Sequence, residues 1–230
     1  MRKRSKIKRL FLVLCFLMPA AAADAGILKP VKLWKTHVNT GMYFLETIEE
    51  EKTVYSSYSR TPLPMQLLSD LLWAAYGCAY NKAKDADADA VEFQKIDIYV
   101  SMEQGCYIYD PVEHQLLPVI DEDIRWMTGQ GDYVKNSPVN LIYVNQPEGI
   151  VSRDVVATLM LPGVRSGMIA QKVSLFCASF HLYTSVRINI NRDKLAEILN
   201  IDDINRIILC QSVGLPVYTG NLSVKDYNDS

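Results

Sequence analysis

Pro64-Met65-Gln66-Leu67-Leu68-Ser69-Asp70-Leu71-Leu72-Trp73-Ala74-Ala75-Tyr76-Gly77 and, after a polar loop, Lys95-Ile96-Asp97-Ile98-Tyr99-Val100 form the stretch that decides the fold. Leu67, Leu68, Leu71, Leu72 and Ala75 recur at spacings of three and four, which lays one apolar stripe along a helix over residues 65–76. Pro62 and Pro64 sit where the first turn has no use for an N–H. Gly77 follows the last periodic residue and reads as a left-handed terminator. The second run is β-branched and aromatic, as strands are, and predicts a strand over 95–100.

On the N-terminal side, residues 25–40 read as an irregular arm, and Thr40 or Gly41 caps a helix running through Glu51. On the C-terminal side, residues 105–110 and 115–119 read as a hairpin turned by 111–114, with His114 a surface turn residue. Asp121 caps a short helix to Met127, and 139–144 form a buried strand. Residues 151–161 make a helical turn or two. Pro162-Gly163 interrupts them, and the main core helix follows over 166–182 with apolar residues on more than one side. A strand over 184–190, a helix over 192–199 capped by Asn191, and a last strand over 206–213 close the pattern. Irregular alternation of helices and strands with one hairpin predicts an α+β domain, its mixed or antiparallel sheet flanked by helices.

Three motifs in this order resemble the nitroreductase family. Residues 68–77 look like that family's second helix, and Gly167-Met168-Ile169-Ala170-Gln171-Lys172 is similar to its Gly-x-x-x-Gln-Asn at the start of a long core helix. Arg192-Asp193-Lys194-Leu195, Arg206-Ile207-Ile208-Leu209 and Gln211-Ser212-Val213-Gly214-Leu215-Pro216 resemble its closing helix, strand and turn. The resemblance covers about residues 46–216. It implies a nitroreductase-like domain over 46–218, preceded by an arm and first helix start over 24–45 and followed by a tail over 219–230. It also implies an obligate homodimer holding FMN at its interface, and an NAD(P)H-dependent reduction of small electrophiles or quinone-like compounds. The residues that the resemblance marks as flavin contacts are Lys52, Ser56, Gln94, Gln171, Lys172 and Arg187.

The match fails at the phosphate cradle. Where similar proteins carry Arg-Arg-Ser-x-Arg this chain has Lys52-Thr53-Val54-Tyr55-Ser56, and an arginine-bearing loop is replaced by Asp85-Ala86-Asp87-Ala88-Asp89. A hydrogen bond to a charged group contributes about 1.5–3 kcal/mol, so losing two or three costs about 3–9 kcal/mol. That is enough to turn a submicromolar site into a millimolar one. A second reading therefore stands beside the first: a non-catalytic dimer of this fold that has lost FMN and acts as a binding or structural module. The aspartates are a solvated loop in one reading and a pocket for a cationic ligand in another; as a calcium loop they lack the glycine and closing glutamate. Lys172 either snorkels to the surface or fills the flavin cavity.

Arg2, Lys3, Arg4, Lys6, Lys8 and Arg9 precede an apolar run over 10–18 and four alanines at 20–23, the pattern of a signal peptide over 1–23. The rival reading is an uncleaved anchor; lipidation at Cys15 is disfavoured by Leu14 before it and Phe16 after it. Cleavage leaves 18 basic against 26 acidic residues, a net charge of −8 that repels nucleic acid and anionic lipid. A periplasmic or secreted protein without a stable membrane anchor is the expectation. Cys78, Cys106, Cys177 and Cys210 form no CxxC pair, which argues against zinc, and each lies in or beside an apolar run as buried free thiols do. His37, His114 and His181 are scattered, with His181 placed to cap the core helix. No catalytic triad motif or phosphate-binding P-loop appears, and no metal site is expected.

Overall fold

The computed structural model describes residues 28–36, 41–51, 57–77, 95–146 and 155–217, with the backbone alone for 155–159. Seven strands form one sheet: β1 (Val31–Lys32), β2 (Ile96–Met102), β3 (Gly105–Asp110), β4 (Gln115–Ile120), β5 (Val139–Asn145), β6 (Tyr183–Arg187) and β7 (Ile207–Gly214). Their order is β1-β4-β3-β2-β5-β7-β6, and every neighbouring pair is antiparallel. The sheet is thus antiparallel throughout, and the α+β class expected from the sequence holds. The helices are α1 (Phe44–Glu50), α2 (Met65–Leu72), α3 (Asp132–Asn136), α4 (Val155–Ser179) and α5 (Arg192–Leu199).

Strand pleating sorts side chains onto two faces, and each face has its own core. Ile98, Val100, Tyr107, Tyr109, Leu141, Tyr143 and Val213 pack under the apolar stripe of α2 and under Ile169, Ala170, Val173 and Cys177 of α4. Ile142, Val144, Ile207 and Cys210, alternating with them, pack on the other face with Leu195, Ala196 and Leu199 of α5 and Ile124. The leucines of α2 are buried because their spacing faces them all one way. The helix then widens into a π turn, Trp73–Gly77, so Gly77 is its last residue rather than a left-handed terminator beyond it.

Two further local expectations are corrected. Pro162 does not split the core helix, because α4 runs unbroken through it for 25 residues. The proline forgoes one backbone hydrogen bond, and the turns that follow it are anchored on the sheet through Ile169, Ala170, Val173 and Cys177. Between β4 and β5, Asp121 caps nothing. Instead Asp123 accepts from Arg125 N at 3.1 Å and pairs with its guanidinium at 2.7 Å, starting a 3-10 turn at Arg125–Thr128, and α3 follows. His181 is the left-handed residue that ends α4, at φ +53°, with Leu182 N donating back to Cys177 O at 2.7 Å. Asn191 caps α5 as expected, accepting from Lys194 N at 3.2 Å.

Cys106, Cys177 and Cys210 are buried free thiols; Cys78 lies outside the described residues. Among the described residues no helix is long and apolar enough to cross a membrane, and no three metal-ligating side chains cluster. The leader, His37, the aspartate loop and the tail over 219–230 also lie outside them.

Candidate functional site

One helix, α4, buries Ile169, Ala170, Val173 and Cys177 against the sheet and turns its other side to solvent. That outer side is apolar. Met160, Val164 and Met168 stand four residues apart and are 61%, 51% and 56% exposed. Between them Gly163 and Gly167 leave the backbone bare, with nothing within 4 Å of where a Cβ would stand. The strip ends at Gln171 and Lys172, both exposed. Large apolar side chains interleaved with bare glycines thus form an exposed apolar patch along the helix.

Beside it, α1 packs on α4 and exposes Tyr43, Phe44 and Leu45. Its entry is tied down where Met42 N donates to Ser179 Oγ at 2.9 Å. A Cβ on Gly41, which has φ +108°, would run into that same oxygen, so only glycine fits. At the other end of α1 the Gln171 amide donates to both carboxylate oxygens of Glu51, at 2.9 and 3.0 Å.

Arg187 has a different destination. In antiparallel pairs, residues directly opposite share a face. Arg187 lies opposite Cys210, and Ser185 opposite Ser212 and, one strand on, Asn140. That is the α5 face, so the sheet itself stands between Arg187 and Gln171. The guanidinium is 7% exposed. Its Nε donates to Thr128 O at 3.2 Å, Nη1 to Ser212 Oγ at 2.7 Å and Ser185 Oγ at 3.1 Å, and Nη2 to Asn140 Oδ1 at 3.0 Å. The Tyr133 ring covers it at 5.7 Å, and among the described residues no carboxylate pairs with it. Neutral oxygens and an aromatic face therefore solvate this cation. Tyr58 joins the network, donating to Ser185 Oγ at 3.0 Å, and burial pushes its phenol up to about 12.

Of the six predicted flavin contacts, Lys52, Ser56 and Gln94 lie outside the described residues. Gln171 and Lys172 sit together on the outer face of α4. Arg187 does not join them, because pleat parity sends it to the opposite side and the interior already uses its donors. The described residues fit the ring of a flavin, which would lie on the Gly163–Gly167 strip with an amide and an ammonium at its end. Arg187 does not serve the phosphate from that side; the buried arginine on α4 itself is Arg165, between the two glycines. His114, expected as a surface turn residue, instead ties the N-terminal arm to α2 and to the hairpin through its ring. Its partners lie 45 and 80 positions away in the chain, so no local signal marks it.

No family model matches the chain. Over 86 residues it is 28% identical to a protein of Methanocaldococcus jannaschii assigned as a nitroreductase, a match that takes in 35% of this chain and 43% of that protein. The matched stretch is thus less than half the length of that curated relative. Among solved structures the chain is similar to a protein of Ralstonia eutropha assigned as a nitroreductase. The identity is 30% and the TM-score 0.74, covering 86% of this chain and 93% of that one. With the NADPH:FMN oxidoreductase of Vibrio harveyi, solved with NAD+, it shares the fold at a TM-score of 0.54. There the identity is 15%, and the match covers 78% of this chain and 71% of that one.

Proposed function

The chain belongs to the nitroreductase family, and from that premise we propose that it is an FMN-dependent oxidoreductase that works as a homodimer across the outer face of α4. The observation that carries this reading is that face: bare glycines at 163 and 167, three exposed apolar side chains, and Gln171 with Lys172 at the end. A second copy covering it would remove Met160, Val164 and Met168 from water and enclose a cleft at the same time. FMN, when bound, supplies the electron transfer. The chain's own residues bind and orient it. Lys172 brings a cation to the anionic nucleotide, and Gln171 brings an amide that trades Glu51 for the ligand. The substrate class that suits such a cleft is a small electrophile, with NAD(P)H as electron donor.

A specific observation favours a second reading. Arg187 is withdrawn into the interior, and the sequence has Asp85, Asp87 and Asp89 where similar proteins carry arginine. Both changes weaken a phosphate cradle, so a family dimer that has lost FMN and serves as a binding module is the alternative. Purification decides between them. A yellow protein that releases flavin fluorescence on denaturation supports the enzyme reading; a colourless one that takes up no added FMN supports the alternative. If FMN binds, Lys172→Glu is expected to weaken it at least tenfold, since one charge-assisted contact is worth about 1.5–3 kcal/mol. We also propose export with cleavage after Ala23, which the intact mass of the mature protein checks.

A further inference from the structure

His114 stands at a junction of three segments. Its Nε2 lies 3.1 Å from Trp34 O on the N-terminal arm and 2.9 Å from Ser69 Oγ on α2. Its Nδ1 lies 2.9 Å from Tyr109 Oη on β3. A carbonyl can only accept, so Nε2 carries the proton, and Nδ1 then accepts from the phenol. Ser69 completes the circuit by donating to Trp34 O at 2.6 Å. The backbone joins in, because Leu33 N donates to His114 O at 3.0 Å. His114 also holds φ +49°, in the left-handed region that few residues other than glycine enter and that Asn, Asp and His enter most readily.

We propose that His114 is a proton-operated latch on the N-terminal arm: its neutral ring holds residues 31–36 to α2 and to the β3–β4 turn, and taking up a proton shifts the arm toward an undocked state. The neutral ring satisfies every partner. A second ring proton, on Nδ1, takes away the acceptor of the Tyr109 phenol, which can turn to accept from it only by leaving its own hydrogen unpaired. That hydroxyl is buried and has no other partner among the described residues. The charged groups facing the ring are Lys32 on the arm, Asp70 on α2, Asp110 on β3 and Glu113 in the turn. Lys32 repels the imidazolium, whereas Asp70 attracts it. Glu113 is engaged with Lys32, and Asp110 with the turn amides of Val112 and Glu113. Burial outweighs the attraction and lowers the pKa of His114 from its usual value. An undocked arm leaves the ring in water at about 6.5. Protons therefore bind the undocked state better and pull the population toward it. The arm leads into α1, which ends beside the Glu51 carboxylate held by Gln171, so the latch lies one segment upstream of the candidate site.

The test is a pH titration of the full chain by NMR, following the His114 ring and the protection of the Leu33 amide. The His114 midpoint is expected below 6.5, with Leu33 protection falling as pH drops through that midpoint. The loss is tenfold for each unit separating the docked midpoint from 6.5. His114→Asn suits the left-handed backbone and does not titrate, so its Leu33 protection is expected to be flat with pH. If that variant does not fold, Tyr109→Phe removes the phenol donor and is expected to move the His114 midpoint upward. A wild-type midpoint at or above 6.5 would overturn the latch. So would pH-dependent Leu33 protection that persists in His114→Asn, or a Tyr109→Phe midpoint that does not move.

Discussion

Replacing Arg187 with methionine keeps an unbranched apolar stem, shortens it by the guanidinium, and removes the charge and all of the donors. The structure says what is left behind. Thr128 O, Asn140 Oδ1 and Ser212 Oγ each lose a donor in a site closed to water. An unsatisfied buried acceptor costs about 1–3 kcal/mol; Asn140 Oδ1 is partly spared, because it keeps the donor that the Ser212 hydroxyl already gives it. The net expectation is a loss of about 2–5 kcal/mol, the sum of two or three such penalties on neutral oxygens. Arg187→Lys keeps the charge but reaches fewer oxygens, because an ammonium lacks the planar fork, and it should fall between the two. Chemical denaturation reads this directly, with the midpoint dropping from wild type to lysine to methionine at unchanged slope. Opposing arguments make the experiment decisive. Burying a cation with no carboxylate partner is itself costly, so a methionine variant as stable as wild type would show that desolvation outweighs the hydrogen bonds and refute this account. The same variants separate structure from cofactor binding. A residue on the α5 face should leave the affinity for added FMN unchanged while the protein remains folded.

Three further outcomes follow from positions described above. His181→Gly relieves the left-handed backbone at the end of α4 and is expected to stabilise by about 0.5–1 kcal/mol, raising the thermal midpoint by a few degrees. Gly129→Ala would push a Cβ to 2.9 Å from Arg187 Cδ and closer still to Nε, so a loss of about 1–3 kcal/mol is expected in the same denaturation assay. Burial raises the thiols of Cys106 and Cys210 to about 12, so at neutral pH both stay protonated and unreactive. Peptide mapping after alkylation of the native protein should find both unmodified, and both should react once the chain is unfolded.

What was legible in the sequence was what local rules decide. The leucines of α2 declare their stripe because helical spacing is local, and Asn191 declares a cap because its acceptor is three residues away. The hairpin was legible for the same reason. Pro162 was misread because its cost is local and its compensation is not: the turns that follow it are held by the sheet. Arg187 was misplaced because its facing depends on register with β7, which no window of sequence around it contains. At the candidate site the motif Gly167 to Lys172 was found, and the structure sets Gln171 and Lys172 side by side on α4. The exposed apolar row around them was not anticipated, since periodicity marks the apolar positions of a helix without saying which will be covered.

The parity that sends Arg187 inward gives β6 an unusual evolutionary constraint. Substitutions along this five-residue strand alter one contact at a time, whereas a single inserted residue before Arg187 would rotate every later side chain by half a turn. Val186 would then occupy the polar niche, and the guanidinium would emerge beneath the long helix. Lineages carrying such an indel should either be purged or arrive with a rewritten neighbourhood at positions 128, 140 and 212. Length conservation in this short strand, more than residue identity, is therefore the trace that selection for this interior should leave.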